Sequence, residues 1–162
     1  MSRLPVPLSG GPARALLRRA TGEDLPALVA MLADDPLGRA RESAEGDLAP
    51  YRRAFALIDA DPAQLLVVAA ARADVVAMLQ LSFLPGLSRR GALRAQVEGV
   101  RVRADQRGRG TGAALFGWVV EEARSRGCAL VQLTTDASRA DAHRFYARLG
   151  FSPSHVGFKL AL

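Results

Sequence analysis

The run Arg107-Gly108-Arg109-Gly110-Thr111-Gly112 lies between a predicted strand, Arg94–Val102, and a predicted helix that reaches about Arg126. At about 100° per residue, Gly112, Leu115, Phe116, Val119, Val120 and Ala123 share one helical face, with Glu121, Arg124 and Ser125 opposite. Gly127 ends the helix as a C-cap should. Glycines at alternate positions let the backbone turn sharply and let a ligand approach the main chain. The free N–H groups of the first helical turn, with the helix dipole, then make an anion site. Arg107 and Arg109 add positive charge to it. Two readings fit: a pyrophosphate cradle, or a plain glycine-rich turn that only starts a helix.

Gly108-x-Gly110-x-x-Ala113 also fits the dinucleotide fingerprint, with Asp136 at the end of the next strand as its acid. Three features oppose that. The apolar strand stops at Val102, so five polar or small residues precede Gly108, whereas the fingerprint follows directly on a strand. The loop lies late in the chain. Only 26 residues follow Asp136, too few to complete a doubly wound sheet. A P-loop is excluded, because no Gly-Lys-Ser/Thr is present.

Working outward, Ala15–Arg19 reads as a short strand, and Thr21-x-x-Asp24 as a capping box before Leu25, Leu28, Val29 and Leu32 at helical spacing. A polar stretch, Asp34–Asp47, precedes a second helix over Ala49–Asp59. Gln64–Ala71 and Val75–Phe83 flank Arg72-Ala73-Asp74 as a hairpin, and Leu84–Gly91 is a loop. Past the glycine run, Ala129–Thr134 is a strand, Ser138-x-x-Asp141 caps a helix to Leu149, and His155–Leu162 alternates as a terminal strand. Residues 1–13 read as a flexible leader and 14–162 as one domain. The pattern predicts an α/β sandwich, helices packed on a mixed sheet.

With 49% hydrophobic and 23% charged residues, the 162-residue chain has the balance of one globular domain. No apolar run approaches the ~20 residues of a membrane span, and no signal-peptide core follows the N-terminus, which makes the cytoplasm the expected address. Lys159 is the only lysine among 22 basic residues, and the net charge is +6. Arginine forks suit phosphate oxygens. A nucleic-acid surface is disfavoured, because the arginines are scattered and aromatics make up only 6%. Cys128 cannot form an intrachain disulfide, metal-ligand spacing is absent, and His143 and His155 offer little for a Cys–His nucleophile. Trp118 covers a neighbouring element or sits in a homodimer contact.

From Glu98 onward the chain resembles the GNAT superfamily of N-acetyltransferases. Val100-Arg101-Val102 followed by Gln106–Gly112 fits that family's strand and its Q/R-x-x-G-x-G/A motif. Ala142-His143-Arg144-Phe145-Tyr146-Ala147-Arg148-Leu149-Gly150-Phe151 fits its second signature, A-x-x-F-Y-x-x-L-G-F. The resemblance implies a mainly antiparallel sheet splayed in the middle, helices on both faces, and acetyl-CoA as cosubstrate. It implies that the backbone of Val100, Arg101 and Val102 pairs with the pantetheine arm. The amides of Arg107, Gly108, Arg109, Gly110, Thr111 and Gly112 would hold the pyrophosphate, and Tyr146 would protonate the departing thiolate. Many members carry Asn where this chain has Arg139, which could reach a phosphate instead.

Acetyl transfer needs a neutral amine, a stabilised oxyanion and a protonated leaving group. Glu98 is the candidate base: strand alternation would set it on the face of Val100 and Val102, and burial near the cofactor would raise its pKa. The alternative is a solvated or Arg-paired glutamate. Tyr146 is either the acid or core packing at a helix end. Arg144 and Arg148, spaced i,i+4, are a solvated face or a phosphate contact. Asp34, Asp35 and Glu42 could attract a cationic amine of a small molecule or peptide. The same fold could instead serve as a non-catalytic CoA-binding module.

Overall fold

In the computed structural model, residues 4–12, 15–34, 36–39, 42 and 46–162 are described. Six strands lie side by side in chain order: β1 (Val6–Pro7), β2 (Ala15–Arg19), β3 (Gln64–Ala71), β4 (Asp74–Pro85), β5 (Leu93–Val102) and β6 (Leu130–Leu133). The first five pair antiparallel. β5 and β6 run parallel, since Ala129 N–H donates to Leu93 O and the Gln132 side chain to Gln96 at the same offset of 36 residues. The helices are α1 (Leu25–Ala33), α2 (Pro36–Arg39), α3 (Ala49–Ala60), α4 (Ser88–Gly91), α5 (Thr111–Ser125) and α6 (Ala140–Arg148). No helix of the described residues is long and apolar enough to cross a membrane.

Both faces of the central strands are covered, which is why β3 and β4 read as continuous apolar runs rather than alternating ones. On one face Leu66, Val68 and Met78 pack with Leu25, Leu28 and Met31 of α1, and Tyr51, Phe55 and Ile58 of α3 close over them. Leu65, Val67, Leu81 and Val97 are buried on the other. There α5 supplies Leu115, Phe116 and Val119, and the Arg126 guanidinium stacks 3.9 Å from the Phe83 ring centroid. Glu122 is buried within the apolar face of α5, a position the helical pattern does not give it. Arg126, one turn on, bonds it at 2.7 Å and makes that burial tolerable.

The capping box closes as expected: Asp24 accepts from Thr21 N at 2.7 Å, and its carboxylate forks onto Arg18 at 2.7 and 2.8 Å. Four sequence expectations change. Val6–Pro7, within the expected leader, pairs with Leu16–Leu17, and Leu8 is buried. The expected loop Leu84–Gly91 holds α4, where Arg89, Arg90 and Gly91 all sit in the left-handed region. Arg139, not Ser138, occupies the N-cap of α6, because Ser138 is tied to Asp136 through its N–H and hydroxyl. Residues 151–162 form no strand. Val156, Phe158, Leu160 and Leu162 alternate in sequence yet stand exposed, for alternation makes a strand only where an edge receives it.

The chain resolves into two compact units, Met1–Gln132 and Leu133–Leu162. In the second, α6 ends on an aromatic cluster in which Tyr146 meets Phe145 at 5.3 Å and Phe151 at 6.0 Å, both edge-on. Gly150, at φ 88°, terminates the helix.

Candidate acyl-transfer site

β5 carries a bulge at the centre of the first unit. Met78 pairs with Arg101 and Gln80 with Glu98, so Gly99 and Val100 together face Leu79. Gly99 has φ 59°, the left-handed geometry that lets a strand take in one extra residue. The bulge breaks the alternation expected across Glu98–Val102. Glu98 shares a sheet face with Arg101, while Val102, paired with Ala77, lies on the other. Glu98 is also exposed rather than buried. Beyond the bulge β5 runs on to Val102, whereas β6 is only four residues long, so the end of β5 is free to splay.

The glycine run follows after a 3-10 turn over Ala104–Gln106 that the sequence does not announce. Gly108 and Gly110 have φ 72° and 82°. A Cβ on Gly110 would stand 3.0 Å from the carbonyl oxygen of Gly10, whereas one on Gly108 would meet nothing within 4 Å. Gly110 is thus required by packing as well as by φ. Gly110 is the N-cap of α5, and its carbonyl accepts the first helical N–H, from Ala114 at 2.9 Å. The amides of Thr111, Gly112 and Ala113 are the helix's orphan donors. The buried Thr111 hydroxyl reaches back to Gln106 O at 3.4 Å and closes the loop.

The two loop arginines differ. Arg107 Nε donates to Val102 O at 3.0 Å and its Nη2 to Asp34 at 2.8 Å, pinning the loop to the end of α1. It is thus a strut rather than a mobile charge. Arg109 is exposed. Beside them Arg103 bonds Asp105 twice and, with Gln106, holds that exposed carboxyl down to about 2. Of the acids considered for an amine, Asp34 is engaged by Arg107, Glu42 accepts from the Tyr51 hydroxyl at 2.5 Å, and Asp35 lies outside the described residues. A 560 Å³ groove between α1 and the start of β4, lined by Asp34, Asp74 and Arg103, lies beside this end of β5.

A polar row was not visible in the sequence. Gln64, Ser82 and Gln96 pair in register across β3, β4 and β5, and Gln96 bonds Gln132 of β6. Gln64 accepts from Ser82 at 2.6 Å and from Gln80 at 3.1 Å. Gln80 in turn lies between Leu66 and Glu98, so one half of the α1–α3 face is apolar core and the other a hydrogen-bonded polar floor.

The acetyltransferase (GNAT) family model matches residues 25–151. The chain belongs to that family. It is 33% identical to the aminoalkylphosphonate N-acetyltransferase of Salmonella typhimurium, over 90% of each chain. A Bacillus halodurans structure described as a transcriptional regulator is 47% identical, with a TM-score of 0.87 over 91% of this chain and 99% of that one. An acetyltransferase of Trypanosoma brucei shares the fold, at 24% identity and a TM-score of 0.73 over 91% and 99%. The matching model is that of a family of acetyltransferases, so acetyl transfer is the activity of the family. The orphan amides of α5, the open side of Gly108 and the exposed Arg109 fit the pyrophosphate of the family's acetyl-CoA.

Proposed function

We propose that the protein transfers an acetyl group from acetyl-CoA to the primary amine of a small molecule or peptide by direct attack. The bulge at Gly99–Val100, placed just before a glycine-gated helix N-terminus, carries this reading. It interrupts the pairing of β5 with β4 before Arg101 and Val102 resume it, at the level where an acyl donor would enter. The relative that acts on aminoalkylphosphonates favours a small-molecule amine.

Bound here, acetyl-CoA supplies a thioester as acyl donor. The amides of Gly108 through Gly112, with Arg109, hold its pyrophosphate, and the backbone of Val100, Arg101 and Val102 pairs with the pantetheine arm. Arg107 holds the loop in shape, and for Arg139 the family resemblance implies a role toward the phosphates. Glu98 accepts the proton that the attacking amine loses. The N–H of Val100 would serve the oxyanion as negative charge gathers on the carbonyl oxygen. Tyr146 donates its phenolic proton to the sulfur as the carbon–sulfur bond breaks. The test is CoA release from acetyl-CoA across an amine panel, with Arg109→Glu as the loop variant. An active wild type, and at least tenfold weaker acetyl-CoA binding in the variant, is the expected result. Unchanged affinity would remove the loop from the cofactor site.

A second reading, a non-catalytic CoA-binding module, is favoured by the exposure of Glu98 and by the regulator at 47% identity. Acetyl-CoA binding without turnover of any amine would establish it.

A further inference from the structure

Two acceptors stand side by side on the polar floor, and no donor among the described residues satisfies either. Gln80 of β4 pairs directly with Glu98 of β5, so their side chains rise from the same sheet face. Gln80 is half-buried, and its amide is anchored on one side only, where Nε2 donates to Gln64 Oε1 at 3.1 Å. Ser82 donates to the same Gln64 oxygen at 2.6 Å, so that oxygen serves two donors. A carboxamide carries its oxygen and nitrogen on opposite sides, so the bond across to β3 turns Gln80 Oε1 toward the β5 side. Among the described residues nothing donates to Gln80 Oε1, and the Glu98 carboxylate has neither a hydrogen bond nor an ion pair.

The spacing of the pair says what would fill it. Directly opposed residues have Cβ atoms about 5 Å apart. One nitrogen that donates two bonds of about 2.9 Å each spans two oxygens roughly 5 Å apart. An ionised carboxylate and an amide oxygen only accept, so the hydrogens must come from the ligand. Glu98 is exposed, which leaves the pair open to a molecule arriving from solvent. The bulge residues Gly99 and Val100 follow Glu98 directly, so a nitrogen held by the pair lies next to the interruption in β5.

We propose that Gln80, its amide fixed by Gln64, orients the acyl acceptor by taking one N–H of a primary amine while Glu98 takes the other. This rests on the acyl-transfer reading. A neutral primary amine has two N–H bonds and one lone pair. With both N–H groups held by oxygens, the lone pair is the direction left free, and it is the lone pair that attacks. As nitrogen bonds to the thioester carbon, the proton on the Glu98 side passes to the carboxylate. The hydrogen on the Gln80 side stays on nitrogen in the amide product. The electrons of the carbon–sulfur bond leave with sulfur, which takes the Tyr146 proton. A neutral secondary amine has one N–H to give and leaves one of the two oxygens unserved. Gln80 therefore selects primary amines over their N-methyl counterparts.

Turnover of 2-phenylethylamine, propylamine, glucosamine and alaninamide is compared, each against its N-methyl derivative, in wild type and Gln80→Leu. For the best of the four, kcat/KM in wild type should favour the primary amine by at least tenfold. That ratio should fall at least fivefold in Gln80→Leu, with acetyl-CoA affinity changed less than about twofold and the melting temperature kept within a few degrees. Gln80→Met, unbranched and closer in shape, takes its place if the leucine variant does not fold. The double variant Gln64→Leu/Gln80→Leu should discriminate no worse than Gln80→Leu alone, because Gln64 acts only through the amide that it anchors. Losses that add overturn the orienting role of Gln64. A ratio left unchanged by the loss of the Gln80 amide overturns the assignment, while wild-type turnover keeps acetyl transfer standing. If wild type acetylates none of the four, calorimetry with the same amines at saturating CoA decides. Binding weakened at least fivefold in Gln80→Leu then keeps the amine site and overturns acetyl transfer, and equal binding or none overturns both.

Discussion

Tyr146 separates a chemical role from a packing role within one side chain. Its ring is held edge-on by Phe145 and Phe151, so Tyr146→Phe retains the cluster and removes only the hydroxyl. A thiolate with a pKa near that of free cysteine, ~8.5, can depart unaided, though less easily where water is excluded. The hydroxyl acts as charge develops on sulfur, and its loss should therefore appear in the rate and not in binding. We expect kcat to fall roughly 10²-fold, with acetyl-CoA affinity changed less than about threefold. Steady-state kinetics and calorimetry on the same variant check both. Normal turnover would make Tyr146 a packing residue, and lost affinity with normal kcat would make it a binding residue.

At the scale of one element, β5 depends on Gly99. A Cβ there would have room, its nearest neighbour being Met78 Cε at 3.9 Å, so sterics do not forbid a side chain. The φ of 59° does. Gly99→Ala should cost about 1–2 kcal/mol, the penalty of an L-residue in the left-handed region. For a domain of this length that lowers the melting temperature by roughly 2–8 °C. If the substitution irons out the bulge, the pairing of Glu98 with Gln80 or of Arg101 with Met78 must slip, and one of them changes face. Activity should then fall further than stability alone accounts for, measured well below the melting temperature. A variant as active as wild type would show that the bulge shapes the strand without serving the site.

For the molecule as a whole, acid stability should report the Arg18–Asp24 fork, which ties the sheet to the head of α1. Arg18 hydrogen-bonds a nearly buried Asp24 and, with Thr21, holds its carboxyl below the usual carboxylate range. A depressed folded-state pKa adds stability above the unfolded value of ~3.9, and that contribution is lost as pH falls through the folded one. Asp24→Asn should lower stability at neutral pH by about 1.5–3 kcal/mol, the range for hydrogen bonds to charged groups. The wild-type advantage should shrink below about pH 4 as Asp24 protonates. Urea melts across pH 2–7 test this, and a gap between the two proteins that stays constant down to pH 2 would mean that Asp24 is not the group responsible.

Ala15–Arg19, Gln64–Ala71 and the helix after Gly110 were legible in the sequence because apolar period and glycine position are local properties, and chain-local physics decides them. The order of the glycine motif and the Phe145-Tyr146 signature likewise carried the family. Tertiary structure alone decided the rest. Alternation put Glu98 with Val102, but a pairing slip against Met78 and Gln80 on another strand moved it to the opposite face. Arg107 looked like a free charge until Asp34, 73 residues away, met it. Gln64, Ser82, Gln96 and Gln132 are unremarked singly and become a floor only when four strands bring them into one row. Strand register, ion pairing and burial are relations between distant segments, so no window of sequence contains them.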